Sequence, residues 1–391
     1  MGPSKIVRKV GSVSGNTRTK DVVVVGGSAA GLYTAASVAR GGRQVHVLES
    51  KPTLDPTPRT LIVTNHFRSQ VNGSAGASIL NEIRRFELFT DGRSASVSLK
   101  QPDLIIERSR LIRSLAQEAE AAGTKFAYDT RFLGFSPNGN GLHVDVDRAG
   151  HREQIHADCL VGADGAVSRV ARAAGWPPVE TVPLVQAVIR LPKDCPRDTT
   201  RVWFVPDDTP YFYWLIPESE DRAALGVIGE QGRDTKRCFD RFLQKKGFEP
   251  LEWQGARIPV YKKWVPVQRR VGNSEVYLVG DAAAQVKVST IGGIVTGFSG
   301  AKGVSNAILK TGRGELLALR RELGTHWLIR RALHHFQQQD YCNLVDMLND
   351  STRQSLGEIN RDESTRLLWT VLRKQPKLVL LGMRGLLLGR R

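Results

Sequence analysis

No stretch of the chain approaches the roughly 20 consecutive apolar residues that a membrane-spanning helix requires. The start lacks the basic segment, apolar run and small-residue cleavage site of a secretory signal. Cysteine is scarce: Cys159, Cys195, Cys238 and Cys342 lie far apart, with no C-x-x-C pair and no Cys/His cluster at zinc spacing. These absences predict a reducing, cytoplasmic setting and no structural metal. Acids are outnumbered, 39 Asp and Glu against 56 Lys and Arg, for a net charge of +17. The surplus sits at the ends. Residues 1–20 hold five basic residues and no acid, and residues 310–391 hold 15 Lys and Arg against eight Asp and Glu. The ends therefore read either as solvated surface or as peripheral contacts to an anionic membrane. No specific nucleic-acid contact is expected.

What is present is a core. Apolar residues make up 41% of the 391 positions, enough for one large or two ordinary domains. The chain is organised around Val22-Val23-Val24-Val25-Gly26-Gly27-Ser28-Ala29-Ala30-Gly31. A β-branched run enters a glycine turn, a helix-like segment follows to Arg40, and a second strand, 44–48, ends on Glu49. Strand, turn, helix, strand and acid are the parts of a dinucleotide site: a helix N-terminus for the pyrophosphate and a carboxylate for the ribose. Gly26 makes the turn and Gly31 lets the helix approach the sheet. Position 28 is Ser where glycine is usual, small enough to fit and able to donate to a phosphate. Glu49 follows Gly31 by 18 residues, close to the spacing of about 20 for a ribose acid.

Residues 1–20 read as a basic flexible tail. Residues 21–70, 100–182 and 270–312 read as one discontinuous cofactor domain of alternating strands and helices. Residues 71–99 and 183–269 read as an inserted antiparallel sheet that faces substrate. It carries the aromatic run Phe212-Tyr213-Trp214, closed by Pro217. Residues 313–391 read as a helical extension ending in a basic, Leu-rich segment that either packs on the body or lies on a membrane. The fold class is α/β, α+β overall.

Two further stretches repeat the opening logic: Gly162-Ala163-Asp164-Gly165, and Val279-Gly280-Asp281-Ala282-Ala283-Ala284. With the opening turn, they resemble the flavin-binding signature of the para-hydroxybenzoate hydroxylase-like superfamily. The resemblance implies a Rossmann-like fold and bound FAD. It places the ADP half on Gly26, Gly27, Ser28, Ala30, Gly31 and Glu49, support on Asp164 and Gly165, and the ribityl chain on Gly280 and Asp281. Arg108, in Ile106-Glu107-Arg108-Ser109-Arg110-Leu111, matches a cofactor-contacting Arg. Gly292 and Gly293 open a helix whose positive end would face the flavin.

Within that superfamily the stretch 280–294 is similar to the geranylgeranyl reductase pattern G-D-A-A-G-x-V-x-P-x-x-G-G-G-I, departing at Ala284, Val288 and Ile291. Phe212–Pro217 is similar to the reductases' Y-x-W-x-F-P, and also to the halogenases' W-x-W-x-I-P. Residues 55–75 contain no Lys, which disfavours a halogenase. The reductases' Cys-Gly-Gly-like stretch is missing too, with Pro58-Arg59-Thr60 nearby. The implied activity is hydride transfer from reduced FAD to an apolar, prenyl-like or natural-product substrate, with NAD(P)H or a protein as electron donor. A flavin monooxygenase and a non-catalytic flavoprotein are the alternatives. His66 and Tyr213 are the candidate proton donors.

Overall fold

A computed structural model describes residues 21–71 and 73–388, so the expected tail at 1–20 lies outside it. Strand β1 (Asp21–Val25) is a run of valines, and Val22, Val23 and Val24 are all essentially buried. Such a run suits a central parallel strand covered on both faces. It lies inside a six-stranded sheet with the order β16 (Gln268–Val271), β17 (Ser274–Leu278), β10 (Cys159–Gly162), β1, β2 (Gln44–Leu48), β6 (Lys125–Ala127). Every pair is parallel except β16 with β17. Helix α1 (Ala29–Arg40) joins β1 to β2 and packs on α3 (Arg108–Ala121) and α6 (Ile294–Leu309).

The second sheet has eight strands in the order β15 (Pro250–Pro259), β11 (Thr181–Arg190), β14 (Arg222–Ile228), β13 (Tyr213–Pro217), β12 (Thr199–Trp203), β4 (Ile79–Thr90), β5 (Arg93–Glu107), β3 (Thr60–Val63). All pairs are antiparallel except β4 with β12. This sheet reaches further than the expected insertion, because β3 and the end of β5 belong to it. β5 passes through Pro102 by a register shift, pairing Ser98 with Arg85 and Asp103 with Ile83. The intervening residues bulge, so proline is not asked to donate to β4. At the other boundary, Gln268 and Arg269 join the first sheet as part of β16.

A meander of β7 (Thr130–Asn138), β8 (Gly141–Arg148) and β9 (His151–Ala157) forms a third sheet. The helices α2 (Phe67–Gln70) and α4 (Arg169–Ala173) are short. Helix α5 (Thr235–Lys246) starts on the Asp234 cap and stops at Gly247, whose φ is +67°. The C-terminal part is helical as expected: α7 (Gly314–Leu333), α8 (Gln338–Asp346), α9 (Asp350–Glu358), α10 (Ser364–Lys374) and α11 (Lys377–Leu388). α8 and α9 lie against β4 and β5, and α10 and α11 close over α7. Among the described residues no helix is long and apolar enough to cross a membrane.

Candidate active site

The opening turn is built for close approach. Gly26 has φ +103°, and a Cβ there would lie 2.6 Å from the Ala163 carbonyl oxygen. A Cβ on Gly31 would lie 2.5 Å from the Gly26 oxygen and 2.8 Å from the Ala163 Cβ. Only glycine lets α1 sit this close to the turn and to β10. Ser28 is the N-cap of α1, its Oγ accepting from the Gly31 N–H at 3.2 Å. The Ser in the glycine position thus closes the helix it opens. Glu49 directly follows β2, beside this turn. Its Oε2 accepts from the Gly27 N–H at 2.9 Å, and its Oε1 from the Lys51 N–H at 3.0 Å. Ala30 is buried beneath Gly280, where an added Cβ would come within 2.9 Å of the Ala30 Cβ.

Asp164, expected to support the cofactor, organises the turn after β10. Its carboxylate accepts from the Ser168 hydroxyl at 2.5 Å and from the N–H groups of Arg169 at 2.7 Å and Val170 at 3.2 Å. It is occupied in starting α4, and it shapes the turn at Gly165, where φ is +83°.

Asp281 follows β17 in a short 3-10 turn, Gly280–Ala283. Burial raises its pKa, and Arg59 and then Arg108 oppose that rise. Arg108 opens α3 just after Glu107, which caps that helix by accepting from the Ser109 N–H at 2.8 Å and the Arg110 N–H at 2.9 Å. Burial lowers the Arg108 pKa, offset by Asp281, Glu107 and Glu49. Arg108 therefore lies within electrostatic reach of both the acid expected at the ribose and the acid expected at the ribityl chain. Arg59 was not singled out from the sequence for the cofactor. Burial pulls its pKa down to about 10, with Arg108 adding to the drop and Asp281 resisting it. Its buried Nε has no hydrogen-bond partner. Two guanidinium groups flank Asp281, and neither forms a direct ion pair with it among the described residues. A glycine cradle, an orphaned guanidinium N–H and a desolvated carboxylate fit a bound dinucleotide with a diphosphate and a polyol chain.

Beyond Asp281 the loop 284–293 leads to α6, whose N-cap, Gly293, has no capping side chain. The first-turn N–H groups of a 16-residue helix are thus available to an anion. A Cβ on Gly293 would lie 3.5 Å from Asp281 Oδ1. Ala284 and Ile291 have φ of +51° and +57°. These are two of the three departures from the reductase pattern, and both stand where it has glycine. The left-handed backbone is retained there with residues that adopt it under strain. Gln285 braces the loop, accepting from the Gly280 N–H at 2.7 Å, while its carbonyl accepts from the Thr296 hydroxyl at 2.6 Å.

A cavity of about 650 Å³ begins at Gly292, Gly293 and Arg59 and runs between the eight-stranded sheet and the C-terminal helices. Its walls are mostly aliphatic and aromatic. Phe212, Trp214 and Ile216 line it from the sheet side, and Leu368, Leu372 and Leu381 line it from α10 and α11. Tyr213 and Pro217 do not line it. Alternation along β13 turns Tyr213 to the other face, where its ring stacks 4.0 Å from Phe242 and its hydroxyl donates to Asp208 at 2.9 Å. Burial, then the bond to Asp208, raises the Tyr213 pKa. It is a core residue and not a proton donor to the cavity. The Pro217 carbonyl accepts from Asn81.

His66 is also off the wall. It is half exposed, with Nδ1 3.8 Å from Asp362 Oδ2. Asp362 is instead the hub of a buried cluster, paired with Lys287 and accepting from the Thr64 hydroxyl. Burial works against its ionisation, but Lys287, the hydrogen bonds and Arg361 together hold its pKa below the ordinary value. Arg361 pairs with Asp103. Nearby, Ser289 Oγ lies 2.5 Å from His326 Nδ1, and His326 Nε2 lies 3.0 Å from Glu322 Oε1. Burial lowers the His326 pKa. These contacts tie the loop before α6 to α7 and to the 361–362 link, and so join the site to the helical extension. The two ties made by the loop were not visible as a local motif, since Ser289 and His326 are 37 residues apart and Lys287 and Asp362 are 75 apart.

The FAD binding domain family matches residues 19–315. The chain is 28% identical over 315 residues to digeranylgeranylglycerophospholipid reductase 2 of Methanothermobacter thermautotrophicus, covering 70% of this chain and 74% of that one. It is 24% identical over 394 residues to reductase 1 of the same organism, covering 92% and 96%. Among solved structures it resembles a geranylgeranyl bacteriochlorophyll reductase-like protein from Thermoplasma acidophilum, with TM-score 0.77, 19% identity and coverage of 94% and 99%. It also resembles p-nitrophenol 4-monooxygenase from Pseudomonas putida, with TM-score 0.62, 15% identity and coverage of 94% and 97%. The cradle at Gly26–Gly31, the Asp281 turn and the match across 19–315 agree: the chain belongs to the FAD binding domain family and is an FAD-dependent oxidoreductase.

Proposed function

We propose that the protein reduces carbon–carbon double bonds in a long apolar, prenyl-like chain. The observation that carries this reading is the apolar cavity of about 650 Å³ that starts at Gly292–Gly293 and extends to α10 and α11. An aromatic ring needs far less length, whereas a flexible isoprenoid fills such a space. The similarity to the digeranylgeranylglycerophospholipid reductases supports the same substrate class. When bound, FAD supplies the hydride-transfer chemistry. The protein's residues hold and orient. Gly26, Gly27, Ser28 and Gly31 would take the ADP half, with Ala30 packed beneath the turn and Glu49 on its ribose. Arg59 and Arg108 would take the diphosphate, Asp281 the ribityl chain, and Gly292 and Gly293 the ring, with Asp164 and Gly165 setting the adjacent turn. The N-terminus of α6 favours negative charge at the ring, and the apolar walls exclude water from the reacting chain. The electron donor in this reading is NAD(P)H or a protein.

The test is anaerobic. Holoprotein reduced with dithionite is mixed with a geranylgeranyl lipid, and return of the oxidised flavin absorbance is followed. Reoxidation without oxygen supports the reductase. Reoxidation that requires oxygen, with oxygen found in the product, replaces it with the monooxygenase.

A further inference from the structure

Helices α10 and α11 carry two faces. The inner face lines the cavity through Leu367, Leu368, Val371, Leu372, Leu381 and Leu386. The outer face is also apolar. Trp369 is 60% exposed, Leu380 69% and Leu387 60%, and none of the three lines the cavity. On α10 the exposed residues Arg366, Trp369 and Arg373 are spaced i, i+3, i+7 and share a face. On α11 the exposed residues Lys377, Leu380, Arg384 and Leu387 repeat the pattern. From 364 to 388 there are five basic residues and no acid. Arg366 pairs with Glu363 and Arg384 with Asp340. Arg373, Lys374 and Lys377 pair with no carboxylate among the described residues. α11 is apolar on both sides, which in a soluble helix needs a cover. Its 12 residues reach only about 18 Å, too short to span a bilayer.

We infer that α10 and α11 seat the protein on an anionic lipid surface, and that the apolar substrate passes from the lipid into the cavity through this helix pair. The route of the substrate rests on the reductase reading; the docking does not. Interleaved cations and apolar side chains fit a headgroup layer over acyl chains, and an exposed Trp is suited to that boundary. A second copy of the chain is a poor cover, because a two-fold contact would set these cations against each other. The basic residues Arg390 and Arg391 continue the same composition in the sequence.

The experiment uses full-length holoprotein with phosphatidylcholine vesicles, with or without phosphatidylglycerol. Sedimentation should favour the anionic vesicles, and added salt should weaken it. Brominated acyl chains should quench tryptophan fluorescence in the wild type and much less in Trp369→Phe. The triple variant Trp369→Ser, Leu380→Ser, Leu387→Ser should retain its flavin spectrum and lose at least tenfold in vesicle partitioning. In the second arm, reduced holoprotein receives a geranylgeranyl lipid in vesicles or in detergent micelles. The triple variant should be slowed only with vesicles. Equal sedimentation of wild type and triple variant, or no quenching, overturns the docking. So does a concentration-dependent dimer that the triple variant abolishes, without vesicle binding. Docking with equal vesicle rates for both proteins overturns the substrate route. No reoxidation in either format overturns the reductase reading, while sedimentation and quenching still decide the docking.

Discussion

Replacing Arg59 by Met separates what the site costs the empty protein from what it gives the cofactor. The guanidinium is partly buried beside Arg108, and its Nε has no partner. Its pKa falls from 12.5 to about 10, which at about 1.4 kcal/mol per unit is at most ~3.5 kcal/mol. Solvent that still reaches the side chain reduces this to about 1–2 kcal/mol. A folded-state pKa below the unfolded value means that the cation disfavours the folded state at every pH below about 10. Removing it should therefore stabilise the flavin-free protein across the neutral range. Met keeps most of the apolar stem packing. The flavin-free variant should melt a few degrees higher, at up to about 2 °C per kcal/mol. FAD affinity should move the other way, because a lost charge-assisted hydrogen bond costs about 1.5–3 kcal/mol, or about 10- to 100-fold in Kd. Scanning fluorimetry of stripped protein and a flavin titration measure the two effects. A lower melting temperature combined with an unchanged Kd would refute the placement of Arg59 against the cofactor.

Asp362→Asn should destabilise the protein by about 3–5 kcal/mol in chemical denaturation, because Lys287 is left buried and unpaired; pairing it with Lys287→Met should recover much of the loss. Because the Asp362 pKa is depressed, its contribution is present above the unfolded carboxyl pKa and should fade as pH falls through the folded value, and the Asp362→Asn melting curve should lose that acid-side slope. Gly31→Ala should cost about 1–3 kcal/mol and weaken flavin binding, since its Cβ would meet backbone at 2.5 Å; full flavin occupancy at wild-type stability would contradict the cradle. Ala284→Gly should raise stability by about 0.5–1 kcal/mol by relieving a left-handed alanine, and Ala284→Val should lower it, both read from thermal melts.

The cofactor half was legible because its signals are local. A valine run, a glycine turn and an acid at the next strand end are contiguous in the chain, and β1, α1 and β2 fall where that pattern put them. The substrate half was less so. Phe212, Tyr213 and Trp214 look alike as composition, and only the period of two assigns Tyr213 to the core and its neighbours to the cavity. Arg59 escaped because its role arises when β3 brings it beside Arg108 and Asp281, which lie far along the chain. The hydrogen bonds of the Asp164 carboxylate to the start of α4 could not be read from the G-A-D-G turn alone. The leucines of α10 and α11 gave a helix but no hint that one side of it closes the cavity.

The most direct measurement is the mass of the product formed anaerobically from a geranylgeranyl lipid by the reduced holoprotein. The expected result is a gain of two hydrogens per reduced double bond, with no oxygen, and loss of that product when Gly293→Leu fills the cavity mouth. An unchanged lipid under anaerobic conditions, with an added oxygen atom once air is admitted, would contradict it.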